Sequence, residues 1–124
     1  MQPSSRQYGE KGESEAVRFL TKNGYRILQQ NYRTKLGEID IIAKDGGVIV
    51  FVEVKARRSK RYGHPKWAIT PKKQRNMSMV ALHYLKSTHQ MQSRARFDVL
   101  TIQSDERPPQ IEIVRNAFDL AFGK

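Results

Sequence analysis

Two apolar runs dominate the chain, Gly37-Glu38-Ile39-Asp40-Ile41-Ile42 and Val48-Ile49-Val50-Phe51-Val52-Glu53-Val54-Lys55. Both predict buried β-strands, Leu36 to Lys44 and Val48 to Ala56, joined by the hairpin signal Asp45-Gly46-Gly47. Upstream, Glu13 to Asn23 carries Ala16, Val17 and Leu20 at helical spacing, closed by Gly24 as a left-handed cap. Residues 1 to about 8 read as a loose tail and Tyr25 to Arg33 as a first strand. Downstream, Thr70 as N-cap and Pro71 at the first helical position open a second helix. Its Met77, Val80, Ala81, Tyr84 and Leu85 follow the 3.6-residue period. Phe97 to Ile102 and Ile111 to Val114 predict a fourth and a fifth strand, and Asn116 a cap for a short apolar C-terminal helix reaching Phe122. The order α-β-β-β-α-β-β predicts one α/β domain over residues 1–124, a mixed sheet of about five strands flanked by helices.

Ionisable groups inside such strands need a reason, because a buried charge costs several kcal/mol unless it is paired or binds a cation. Strand alternation predicts Glu38, Asp40 and Ile42 on one face and Ile39 and Ile41 on the other. In the next strand Glu53 and Lys55 share a face with Ile49 and Phe51, opposite an all-valine face. A two-residue Gly46-Gly47 turn sets Asp45 opposite Val48 and hence Asp40 opposite Glu53. A two-residue Asp45-Gly46 turn makes Glu53 a diagonal neighbour of Asp40 instead. Both registers bring the acids to one face, within ~4.5–8 Å between Cβ atoms.

Two converging carboxylates suit Mg²⁺ or Mn²⁺, which keep several waters and complete their shell with substrate phosphate. Such an ion acidifies a bound water and polarises the phosphate. Lys55 is placed to orient or help deprotonate that water and to stabilise charge in the transition state. The plain alternative is a cross-strand salt bridge between Lys55 and Asp40 or Glu53. Glu13 falls on the apolar stripe of its helix and admits two readings. It is either a further metal or water ligand or an acid complementing the helix dipole. Glu38 stands at the strand's beginning, where only a supporting role is expected.

Charge widens the picture. Lys and Arg number 23 against 12 acids, a net +11 over 124 residues, with a pI near 10.2. That excess implies an anionic partner, nucleic acid first. A membrane surface is disfavoured, since no insertion face or long apolar span is present. Between Lys55 and Arg75 there are nine basic residues and no acid. Beyond Lys55 they are Arg57, Arg58, Lys60, Arg61, Lys66, Lys72, Lys73 and Arg75, interleaved with Tyr62, His64 and Trp67. A run of this kind predicts salt-sensitive phosphate contacts, with Lys72 and Lys73 near a helix start that also favours phosphate. Trp67 either stacks on an unpaired base or covers the core. Asp98 is the candidate for a buried structural ion pair, with Arg96 as one partner. The absence of cysteine excludes disulfides, thiolate zinc sites and cysteine nucleophiles. No secretory signal opens the chain, so a cytoplasmic location is expected.

The chain resembles the YraN family of uncharacterised bacterial proteins, itself similar to archaeal Holliday junction resolvases in the PD-(D/E)XK superfamily. The markers are Gly9-x-x-Gly12-Glu13, Gly24-Tyr25-x-Ile27-Leu28, Asn31-Tyr32-Arg33, Gly37-Glu38-Ile39-Asp40, Phe51-Val52-Glu53-Val54-Lys55, Arg96-Phe97-Asp98-Val99 and Asn116-Ala117-Phe118. The resemblance implies a restriction-endonuclease-like core. In it Glu13 matches the helix-borne acid, Asp40 the central metal ligand, and Glu53 with Lys55 the E-x-K pair. Ile39 stands where the nominal Pro would precede Asp40. The expectation is therefore a Mg²⁺- or Mn²⁺-dependent endonuclease hydrolysing branched or structured DNA through a metal-activated water. The alternative is a non-catalytic nucleic-acid-binding module on the same fold. A homodimer is a further expectation: cutting a junction symmetrically needs two sites, and Ala117–Phe122 either buries against a partner or closes its own core.

Overall fold

A computed structural model describes residues 5–57, 69–103 and 108–119, without the side chains of residues 5–11 and 57. Seven elements follow in chain order: α1 (Ser5–Lys22), β1 (Arg26–Thr34), β2 (Gly37–Asp45), β3 (Val48–Arg57), α2 (Pro71–Ser87), β4 (Arg94–Gln103) and β5 (Gln110–Phe118). The strands form one sheet in the order β1-β2-β3-β4-β5. Only β3 and β4 run parallel, and α2 supplies the crossover that a parallel pair requires. The expected mixed α/β sheet is present.

Each helix buries one stripe against one face. On the α2 side, Met77, Val80, Ala81, Tyr84 and Leu85 pack on Ile42, Ile49, Phe51, Phe97 and Val99. On the α1 side, Ala16, Leu20 and Tyr25 pack with Ile41, Ala43, Val50, Val52, Leu100 and Ile102. Strands covered on both faces read as nearly continuous apolar runs, which is why β2 and β3 stand out in the sequence. Local signals are honoured as well. Gly24 is left-handed at φ 87°. Thr70 caps α2 by accepting the N–H of Lys73 at 3.1 Å, with Pro71 opening the helix. Among the described residues no helix is long and apolar enough to cross a membrane.

Two local expectations are corrected. The helix read from Glu13 begins at Ser5, so residues 5–8 are helical and do not belong to a tail; the polar composition there, followed by Gly9 and Gly12, hides any apolar period. Asn116 does not cap a C-terminal helix: Asn116, Ala117 and Phe118 belong to β5. The ladder slips between Phe97–Phe118 and Val99–Val114, and Asn116, at φ 53°, sits in that bulge. Asparagine tolerates left-handed backbone, so the preference that suggested a cap serves a bulge instead. Phe118 stacks on Phe97 with ring centroids 4.5 Å apart. Residues 120–122 of the expected helix lie outside the described residues.

Candidate active site

The hairpin takes the first of the two registers: Asp45 pairs with Val48 and Ile41 with Val52. One step further would set Asp40 against Glu53, but the backbone ladder stops at Ile41. The other side of β2 is also interrupted. Gln30 pairs with Ile41 and Tyr32 with Ile39, skipping the Asn31–Asp40 step, and Asn31 is left-handed at φ 54°. Ile39 joins Ile42 in the α2-side cluster while Ile41 lies in the other. The expected grouping of Ile39 with Ile41 is therefore wrong, because the strand breaks phase at Asp40. The Asp40 side chain fills the gap: its Oδ2 accepts the N–H of Val54 at 2.8 Å, leaving Oδ1 as the oxygen for a second partner.

The two acids converge as expected. Glu38, Asp40 and Glu53 line one cleft of about 330 Å³, whose other wall is Thr70, Lys72, Lys73, Asn76 and Met77 from the start of α2. Leu36 and Gly37 form its lip. Burial first, and then the charge of Glu53, push the Asp40 carboxyl up to about 7 against the opposing pull of the Val54 N–H and of Lys73. The charge of Glu13 adds to the rise, so α1 brings that acid toward the same end of the sheet. Gly12 makes the approach feasible, since a Cβ there would meet Ala56 Cβ of β3 at 3.3 Å. Gly12→Val is expected to cost about 1–3 kcal/mol in urea denaturation, as overpacking does in a tight contact.

Glu53 is only 4% exposed. Its Oε1 lies 3.7 Å from Lys55 Nζ and accepts a hydrogen bond from Lys73 Nζ at 2.6 Å. Burial works to lower the Lys73 ammonium's pKa, but the hydrogen bond and charge of Glu53 outweigh it and hold the group above its ordinary value. Lys73, expected as a phosphate contact alone, is thus the nearest cation to the E-x-K glutamate. Its position three residues after the N-cap was the available signal, because that turn overhangs the ends of the strands. Among the described residues, no three His, Asp or Glu side chains form a metal cage. Asp40 and Glu53 are brought together, and Glu13 acts on Asp40 through its charge. Glu38 is tied to Arg33 at 3.2 Å.

Of the basic connection, Lys72 lines the cleft and Arg75 is exposed on α2. Arg58, Lys60, Arg61 and Lys66, with Tyr62, His64 and Trp67, lie outside the described residues, as does the side chain of Arg57. The expected Asp98 ion pair is present. Its Oδ1 accepts Arg96 Nε at 3.0 Å and the N–H of Asn116 at 2.9 Å.

The donor chemistry suits a hard divalent cation. Two carboxylates, one held abnormally basic by burial and by the other's charge, offer oxygen ligands whose repulsion a cation would relieve.

A model described as an uncharacterised protein family, UPF0102, matches residues 12–102. The chain is similar to a UPF0102 protein of Desulfosudis oleivorans, 56% identical over 91% of this chain and 90% of the relative. It is also similar to one of Geobacter metallireducens, 51% identical over 92% and 93% of the two chains. A third, from Caldicellulosiruptor saccharolyticus, is 45% identical over 93% and 99%. With a match that runs from within α1 into β4 and includes every residue lining the cleft, this chain belongs to the UPF0102 family, the YraN family.

Proposed function

We propose that this protein is a divalent-metal-dependent endonuclease that hydrolyses phosphodiester bonds in DNA, branched or structured DNA in particular. The observation that carries the reading is the meeting of the Asp40 and buried Glu53 carboxyls in one cleft, where burial and the charge of Glu53 raise Asp40 above its ordinary range. A fold has no use for that repulsion, whereas a cation site does. Asp40 and Glu53 would hold Mg²⁺ or Mn²⁺, with Glu13 as a neighbouring acid. When bound, the ion supplies Lewis acidity toward the phosphate and toward water.

The chain's own groups do the rest. Asp40 is oriented by the Val54 N–H, so its ligand oxygen is preset. Lys72 and the N-terminal turn of α2 face the acids across the cleft and are suited to a phosphate. Lys55, 3.7 Å from Glu53 Oε1, orients the attacking water and stabilises the negative charge that grows on the phosphoryl oxygens.

The test is nicking of junction, flap and single-stranded DNA with Mg²⁺ or Mn²⁺ at low salt. Asp40→Asn and Glu53→Gln are each expected to cut at least roughly 100-fold more slowly. Variants that cut as fast as the wild type would refute the assignment.

One observation favours a second reading: Lys73 at 2.6 Å neutralises Glu53 without any metal. A nuclease-like module that only docks on nucleic acid then bears salt-sensitive binding that survives both substitutions, with no turnover.

A further inference from the structure

Glu53 draws its counter-charge from two lysines on different elements. Lys55 belongs to the same strand and lies 3.7 Å from Oε1, whereas Lys73 reaches in from α2 to the same oxygen at 2.6 Å. The short, charge-assisted contact makes Lys73 the dominant partner. Its side chain is nevertheless 41% exposed, against 5% for that of Glu53, so it spans the boundary between cleft and solvent. Its backbone is pinned, with the N–H held on Thr70 Oγ1 at 3.1 Å. Only the flexible four-carbon stem is left to move.

We infer that Lys73 is the cleft's resident counter-ion, displaced from Glu53 by the divalent cation and then taken up by the substrate phosphate. The inference rests on the metal-dependent reading above. With both carboxyls ionised, as metal ligands must be, Asp40 and Glu53 contribute two negative charges, and Lys55 and Lys73 answer them with two positive ones. A divalent cation added without moving either lysine leaves surplus positive charge in a half-buried place, which is unfavourable. Lys73 is the one to leave, because it lies closest to the ligand oxygen and its side chain is the more exposed, 41% against 32% for Lys55. Once released, its head is on the same wall as Lys72 and the first turn of α2, where a phosphate is met by all three. Ion uptake thereby arms the cleft for its anionic substrate, and phosphate capture keeps Lys73 from returning to compete for Glu53.

The experiment is Mn²⁺ titration of the full chain by calorimetry, without DNA, for wild type, Lys73→Met and Lys73→Arg. Lys73→Met is expected to bind Mn²⁺ roughly two- to fivefold more tightly, as removal of a partly exposed competing ion pair implies. Lys73→Arg keeps the charge and should bind no more tightly than wild type. On wild-type protein with ¹⁵N-labelled lysine side chains, Mg²⁺ should shift the Lys73 ammonium resonance more than any other lysine's. Equal or weaker Mn²⁺ binding by Lys73→Met, with normal binding by wild type, overturns the exchange and leaves the metal site standing. If neither protein takes up Mn²⁺, both readings fall. Should Lys73→Met not fold, an unmoved Lys73 resonance on wild type under saturating Mg²⁺ overturns the exchange by itself.

Discussion

Asp40→Asn is expected to make the metal-free protein more heat-stable at pH 8, and to lose that advantage on acidification to about pH 4. In the folded chain the Asp40 carboxyl ionises at about 7 against an ordinary 3.8, because burial and the neighbouring Glu53 disfavour its charge. A carboxyl whose folded pKa is raised binds its proton more tightly when folded. Below about pH 4 both states are protonated and there is no penalty. Between about 4 and 7 the unfolded chain ionises first, so stability falls as pH rises, and above 7 the penalty is complete. Its size is roughly 2–4 kcal/mol, or about 8–15 °C in Tm for a domain of this length. Asparagine keeps a carbonyl for the Val54 N–H, so the 2.8 Å bond is spared and only the charge is removed. Thermal melts in EDTA at pH 4, 6 and 8 decide it, and a variant equal to wild type at pH 8 counts against a strained acid pair. Adding Mg²⁺ at pH 8 should then raise the wild-type Tm and leave Asp40→Asn unmoved, since ion binding relieves the same repulsion. A substitution that stabilises the fold while slowing the proposed cleavage is what a destabilised functional centre predicts.

Asp98→Ala is expected to be the more damaging change, lowering stability by about 3–5 kcal/mol in urea or guanidinium denaturation. Asp98 is fully buried. Its Oδ1 accepts Arg96 Nε and the Asn116 N–H, and its Oδ2 accepts the Tyr25 hydroxyl at 3.3 Å. Arg96 also donates to Tyr25 Oη at 2.9 Å and to Asp45 Oδ2 at 2.8 Å. Removing the carboxylate leaves the Arg96 guanidinium, 18% exposed, with Asp45 as its remaining anionic partner, and leaves the N–H of the β5 bulge without its acceptor. Burial works against the Arg96 charge, but the hydrogen bonds to Asp98 and Asp45 outweigh it and hold the group above its ordinary pKa. Even without Asp98, an arginine's ordinary pKa lies so far above neutrality that the group stays charged and cannot escape the cost by losing a proton. Asp98→Asn keeps the volume and part of the hydrogen bonding, so it should lose less. A loss under 1 kcal/mol for Asp98→Ala would show that the network contributes little.

Much of the candidate site was legible before any coordinates. Asp40, Glu53 and Lys55 announce themselves as charges in runs that must be buried, and a Gly46-Gly47 turn is enough to bring the acids to one place. Glu13 was visible only as an acid on an apolar stripe; its electrostatic reach to Asp40 follows from the close packing of Gly12 on Ala56. Lys73 hid among nine basic residues, since a run of like charges does not say which member turns inward. The break at Asp40 was also illegible, because alternation is a rule for regular strands and the left-handed Asn31 that disrupts it sits in the neighbouring strand.

By itself the amino-acid order determined what depends on neighbours along the chain. The helical stripes, the cap at Gly24, the Thr70-Pro71 start and the presence of the hairpin all follow from spacing and backbone preference within a few residues, whereas the choice between its two registers did not. Only the tertiary structure decided which distant groups share a site: Lys73 with Glu53 across 20 residues, and Tyr25 with Asp98 across 73. The physical reason is that hydrogen bonds and charges act over a few ångströms of space. That distance is set by how the helices lie on the sheet, which no local pattern encodes.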